Sequence, residues 1–133
     1  MLGLVCMYID ADGKNLLSPK TLQLGRYTAG LYTEERVRQT YIDNFTNLER
    51  GLDLLIRDGI RHFRMSSDLL PLADKVPQSW WNNSDITRSL RRLGDKFRAH
   101  EMRVTFHPGQ FCVLNSAMSH VVQNAIRDLD IHA

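Results

Sequence analysis

The sequence predicts an α/β fold of about three βα units with parallel strands, and three observations carry that reading. Apolar runs of strand length occur at intervals, stretches with three- and four-residue apolar periodicity separate them, and a polar cluster follows each strand-like run. The order strand, helix, strand, helix, strand, helix calls for parallel strands, because each helical crossover returns the chain to the same end of the sheet.

The first strand is predicted within Leu2 to Tyr8, a nearly continuous apolar run of the kind buried on both faces. A polar stretch from Asp10 to Tyr32 follows, and connections of that length tend to be functional or mobile. Thr33 is placed to cap the clearest helix, with Glu34 and Glu35 in its first turn and Val37, Tyr41, Phe45, Leu48, Leu52 and Leu55 on one face. Asp58-Gly59 should stop it, since glycine takes the left-handed conformation of a C-terminal cap. Ile60 to Ser66 then read as the second strand. After a loop containing Pro71 and Pro77, Ser84 or Asp85 can cap a helix whose stripe is Ile86, Leu90, Leu93 and Phe97. Met102 to His107 alternate as a third strand, with Met102, Val104 and Phe106 on one face and Arg103, Thr105 and His107 on the other. Pro108-Gly109 ends it, and a third helix begins at about Ser116 or Ser119 and runs through Val122, Ala125, Ile126 and Leu129.

With 133 residues, 43% of them hydrophobic and 24% charged, the chain fits one globular domain without help from disulfides. Cys6 and Cys112 have no metal-type spacing and read as free thiols in a reducing compartment, with no disulfide partner. The apolar start is too short to span a bilayer and has no basic lead, so the expected location is cytoplasmic with no membrane partner. A net charge of +2 neither requires nor excludes nucleic acid. Arg88, Arg91, Arg92 and Arg98 share one predicted helix and could face phosphates, although a solvated outer face is the plainer reading. Three βα units leave a sheet with two raw edges, whereas a closed TIM-type barrel takes about 250 residues. The last helical pattern also runs to His132-Ala133 without a stop signal. Residues 1–133 are therefore expected to be part of a single β/α-barrel domain, and self-association is expected for such a piece.

Ligands of parallel α/β folds bind at the carboxyl ends of the strands. Tyr8 and Asp10 follow the first strand, Ser66-Ser67-Asp68 the second, and His107-Pro108-Gly109-Gln110 the third. His107 is the best single candidate, because a neutral imidazole at a strand terminus can ligate a divalent metal or carry a proton near neutrality. Its plain alternative is a histidine that bonds the following turn. Asp68 offers a hard oxygen ligand or a partner that orients a histidine, or else caps the turn before Leu69. Gln110 and Phe111 set an amide beside a ring, a pair able to enter a duplex in place of an extruded base, unless Phe111 is buried under the next helix. Trp80-Trp81 can stack bases but more often packs a loop onto the body. No phosphate-cradling glycine loop, nucleophile elbow or paired zinc-type cysteine motif is present.

Taken together, the segments resemble the UV-damage endonuclease family over nearly the whole chain. The matching pieces are Leu2-Gly3, Lys20-Thr21-Leu22-Gln23-Leu24, Thr33-Glu34-Glu35-Arg36, Asn44, Asn47-Leu48-Glu49 and the run from Phe63 to Ala73. The strongest is the run from Phe106 to Ser116, which contains His107-Pro108-Gly109-Gln110-Phe111. The chain departs from the family's pattern at Leu4 and Phe111, where relatives have tyrosine, and at Asp68 and Lys75, where some have histidine. The resemblance implies the N-terminal portion of a TIM-type (β/α) barrel that nicks DNA immediately 5′ of UV photoproducts with a cluster of divalent metals, manganese being the ion implied. By position it makes His107 a catalytic metal ligand, puts Asp68 near the metals, and makes Gln110 and Phe111 the pair that probes double-stranded DNA opposite a lesion. It also implies that further ligands come from later strands, so that these 133 residues alone are expected to be inactive. Two other readings compete: a different metal-dependent β/α-barrel enzyme, such as an apurinic-site endonuclease or a sugar isomerase, and a non-catalytic remnant.

Overall fold

Thr33 opens the longest element of the computed structural model, which describes residues 3–109 and 112–133. Its hydroxyl accepts from the Arg36 amide at 3.2 Å, so one of the unpaired donors at the helix start is satisfied. The resulting helix, α2 (Glu34–Arg57), follows a strand, β1 (Gly3–Val5), and a single helical turn, α1 (Leu24–Thr28). Val37, Tyr41, Phe45, Leu48, Leu52 and Leu55 are each at most 3% exposed, which makes this face the centre of the core. Each contributes about 1.5–3 kcal/mol by leaving water. The helix stops where expected, at Asp58, with Gly59 at φ +70°.

β2 (His62–Ser66) comes next, then a 3-10 turn (Ser67–Leu69), a second such turn (Gln78–Trp80), α3 (Ser84–Ala99), β3 (Arg103–His107) and α4 (Ser119–His132). The cap of α3 is neither Ser84 nor Asp85. Asn83 holds that place, its side-chain oxygen accepting from the Asp85 and Ile86 amides at 3.2 Å each. On α3, Ile86, Leu93 and Phe97 are buried, whereas Leu90 is exposed.

The three strands form one parallel sheet in the order β1-β2-β3. Register places Leu4, Phe63 and Val104 side by side, and this face carries the helices. Phe63 stacks on Phe97 of α3 at 6.4 Å, and Phe106 stacks on His132 of α4 at 4.5 Å. The opposite face presents Val5, Arg64 and Thr105 in one row, with His62, Ser66 and His107 along the same side. His62 and Thr105 pair across it at 3.0 Å.

That open face corrects the expectation for β1, which is not buried on both sides: Val5 remains 52% exposed. The strand is apolar because one side seats on the core, while α2, α3 and α4 all pack on that same side. The predicted long loop also gains structure of its own. Leu17 and Leu22 are buried, Ile9 bridges Asn15, and Asn47 Nδ2 donates to the carbonyls of Leu16 and Ser18 at 3.3 and 3.2 Å.

Candidate active site

The carboxyl ends of the strands are shaped by two local features. After Ser66 the chain turns at once into its 3-10 segment, where Ser66 Oγ accepts from the Asp68 amide at 3.2 Å and donates to the Asp68 carboxylate at 3.1 Å. This holds an exposed carboxylate at the rim. After Val5 the chain makes a tighter reversal centred on Cys6, whose φ is +58°, with the Met7 amide donating to the Val5 carbonyl at 2.6 Å. A left-handed conformation costs about 1–2 kcal/mol at a residue that carries a Cβ.

Between these turns lies a cleft of about 630 Å³, lined by Cys6 and Met7, by Asn15, Ser18 and Pro19 of the long loop, by Ser66 to Asp68, and by His107 to Gly109. His107 and Asp68, the two sequence-predicted metal contacts, thus face one cavity from the ends of neighbouring strands. His107 is half-buried as the last residue of β3, and its Nδ1 lies 3.2 Å from Cys6 Sγ. Sγ in turn lies 3.3 Å from the Arg64 carbonyl oxygen. Burial pushes the Cys6 thiol above its ordinary value, the Arg64 guanidinium opposes that shift, and the Asp68 carboxylate adds to it. Ser67 and Gly109 also line a second cleft of about 570 Å³ that holds the Asp74–Lys75 ion pair and His120.

Gln110 and Phe111 lie outside the described residues; Gly109, which precedes them, sits on the rim of both clefts. Tyr8 and Asp10 do not line the His107 cleft. The reversal at Cys6 carries the chain away, and the Tyr8 hydroxyl donates to Asp58 at the far end of α2. Trp80 and Trp81 pack the loop, Trp80 edge-on to Tyr27 and Trp81 donating to the Ala73 carbonyl at 3.1 Å. Of the arginines on α3, Arg88, Arg92 and Arg98 pair with Asp85, Glu49 and Asp95, as on an ordinary solvated face.

Sequence reasoning missed Cys6. Its partner His107 is 101 positions away, and only the parallel register brings the two together.

The UV-endonuclease UvdE family model matches residues 1–133. This chain belongs to that family. Among curated UvdE relatives, the "UV DNA damage endonuclease" of Nostoc sp. is 32% identical over 133 residues, covering 99% of this chain and 41% of that protein. The protein of the same name from Halalkalibacterium halodurans is 30% identical over 135 residues, with 98% and 41% covered. A solved UvdE structure, titled "Crystal Structure of SacUVDE", superposes with a TM-score of 0.80 at 30% identity, covering 98% of this chain and 42% of that one. The chain thus spans about two fifths of the length of the relatives it matches. Its three parallel βα units are part of the TIM-type barrel of the UvdE fold.

As a metal site, the UvdE-family rim offers an imidazole and a carboxylate on one cavity, donors that suit a divalent cation. Among the described residues no cluster of three or more His, Cys, Asp or Glu side chains could hold an ion. No helix among them is long and apolar enough to cross a membrane.

Proposed function

We propose that this chain provides part of the metal-binding and DNA-contacting rim of a repair endonuclease that nicks double-stranded DNA immediately 5′ of UV photoproducts. One observation carries the reading: in a UvdE-family chain, His107 and Asp68 converge on a single cleft at the carboxyl ends of adjacent parallel strands. His107 would hold a divalent ion, with manganese the first to test, through a ring nitrogen. Asp68 would supply a carboxylate oxygen, held in place by Ser66. Such ions, when bound, lower the pKa of a coordinated water and neutralise charge on the scissile phosphodiester.

Gln110 and Phe111 follow the rim residue Gly109, which puts an amide and a ring in the sequence position from which a duplex would be probed. A photoproduct stacks and pairs poorly, so displacing it costs less than displacing normal bases, and selectivity follows from that difference. Two rim ligands fall short of the roughly three protein ligands that a catalytic ion takes. We therefore expect no nicking by these 133 residues alone.

The test is a chimera in which this chain replaces the matching segment of the Nostoc relative. It should nick UV-irradiated duplex in Mn2+ and leave undamaged duplex intact, and His107→Ala should lower the rate by at least about a hundredfold. Equal cutting of damaged and undamaged DNA would favour a different barrel nuclease. Full activity of the His107→Ala chimera would remove His107 from the site.

A further inference from the structure

The contact between Cys6 and His107 specifies where the ring proton sits. Cys6 has one S–H and lies near two groups that could use it: the Arg64 carbonyl oxygen at 3.3 Å and His107 Nδ1 at 3.2 Å. If the thiol donates to Nδ1, the Arg64 contact has no hydrogen and the ring proton must sit on Nε2. If Nδ1–H donates to sulfur, the thiol proton remains for the Arg64 carbonyl, and two hydrogen bonds form instead of one. The second arrangement satisfies more groups with the same atoms. It also leaves Nε2 unprotonated. Among the described residues Nε2 has no hydrogen-bond partner, and no buried side-chain nitrogen or oxygen is left unpaired, so this atom is accessible on a residue that lines the cleft.

The backbone supports the same reading. Cys6 adopts a φ of +58° that glycine or asparagine would take more readily, and in that conformation its amide donates to the Arg64 carbonyl at 2.9 Å while Sγ meets the imidazole. We infer that Cys6 is a positioning residue for His107: its sulfur accepts from Nδ1–H, fixes the tautomer and ring orientation, and directs the Nε2 lone pair to a divalent cation in the cleft. This rests on the reading of His107 as a metal ligand. A partner on the far ring nitrogen is what commonly orients a ligating histidine, and losing one typically weakens metal affinity by about 10–100-fold.

The experiment uses this chain labelled with 15N in its imidazoles, without metal, at a pH above the ordinary imidazole range. His107 is assigned by its loss in His107→Gln. Wild type should show a protonated Nδ1 and a bare Nε2. Cys6→Ser, which keeps a group that both donates and accepts, should show the same. Cys6→Gly relieves the backbone and stays folded, yet should show mixed tautomers. Mn2+ titration of the chimera with the Nostoc relative, which supplies the later strands, followed by broadening of the His107 signals, should then be about 10–100-fold weaker for Cys6→Gly and close to wild type for Cys6→Ser. A wild-type ring protonated on Nε2, or a Cys6→Gly chain with unchanged tautomer and affinity, would overturn the inference. If wild type has the bare Nε2 but Mn2+ leaves the His107 signals of the chimera unbroadened, the ligand reading is what has failed, and the metal step of the inference falls with it.

Discussion

Asn44 ties three parts of the chain together from inside the core. Its amide donates to the carbonyls of Lys20 and Leu69 at 3.0 and 3.2 Å, its oxygen accepts from the Lys20 amide at 2.7 Å, and the residue is 1% exposed. Asn44→Ala would leave buried groups on both the long loop and the turn that carries Asp68. We expect a loss of about 3 kcal/mol, read by urea unfolding, and a melting point lower by roughly 10 °C. A loss within experimental error would mean that water replaces the amide. The neighbouring pair, Lys20 with Asp43 at 2.6 Å, adds a pH dependence. The Lys20 ammonium, helped by the Gln39 amide, holds the Asp43 carboxyl below its ordinary range. The pair's contribution is therefore in place above about pH 3.9 and is lost as pH falls through the lower folded value. Asp43→Asn should be less stable than wild type near neutrality, and the gap should close on acidification. At this scale the sequence was partly legible. His107 and Asp68 could be singled out because strand ends carry their own local signals. Cys6 could not, because its role depends on a contact between distant strands.

Secondary structure reads well where a single period governs a long stretch, as in α2, and less well where one residue decides an end. Asn83 rather than Ser84 caps α3, because the residue before a helix has the extended backbone that lets its side chain reach forward to the first free amides. What periodicity could not show is where the long loop docks on α2. Gly51 provides that seat: a Cβ there would stand 1.9 Å from Leu17 Cδ2, and Leu17 is buried against the helix. Gly51→Ala gains about 1 kcal/mol of helix propensity but displaces Leu17, and overpacking of this kind costs about 1–3 kcal/mol. We expect a net loss. In a Leu17→Ala background the clash is gone, and the same substitution should stabilise by up to about 1 kcal/mol. A double-mutant cycle separates the two terms, and additivity would show that the loop does not rest on Gly51.

The parallel sheet followed from the order of elements, whereas the character of its second face did not. Alternation in β3 predicted that Arg103, Thr105 and His107 share a side, but a strand's own pattern does not reveal whether anything covers that side. In the structure it is a polar, half-exposed surface, and the outer edges of β1 and β3 have no strand partner among the described residues. The Arg103 amide donates inward to the Arg61 carbonyl at 2.8 Å, so strand alternation points the amides of Val104 and Phe106 away from β2. Free edges of this kind pair with other edges. We expect this chain to self-associate with increasing concentration in sedimentation experiments. Hydrogen exchange at Val104 and Phe106 should be fast when dilute and slow when concentrated, while Thr105, bonded inward, stays protected throughout. A chain that remains monomeric with both amides exchanging freely at every concentration would show that β3's edge is closed to a second strand.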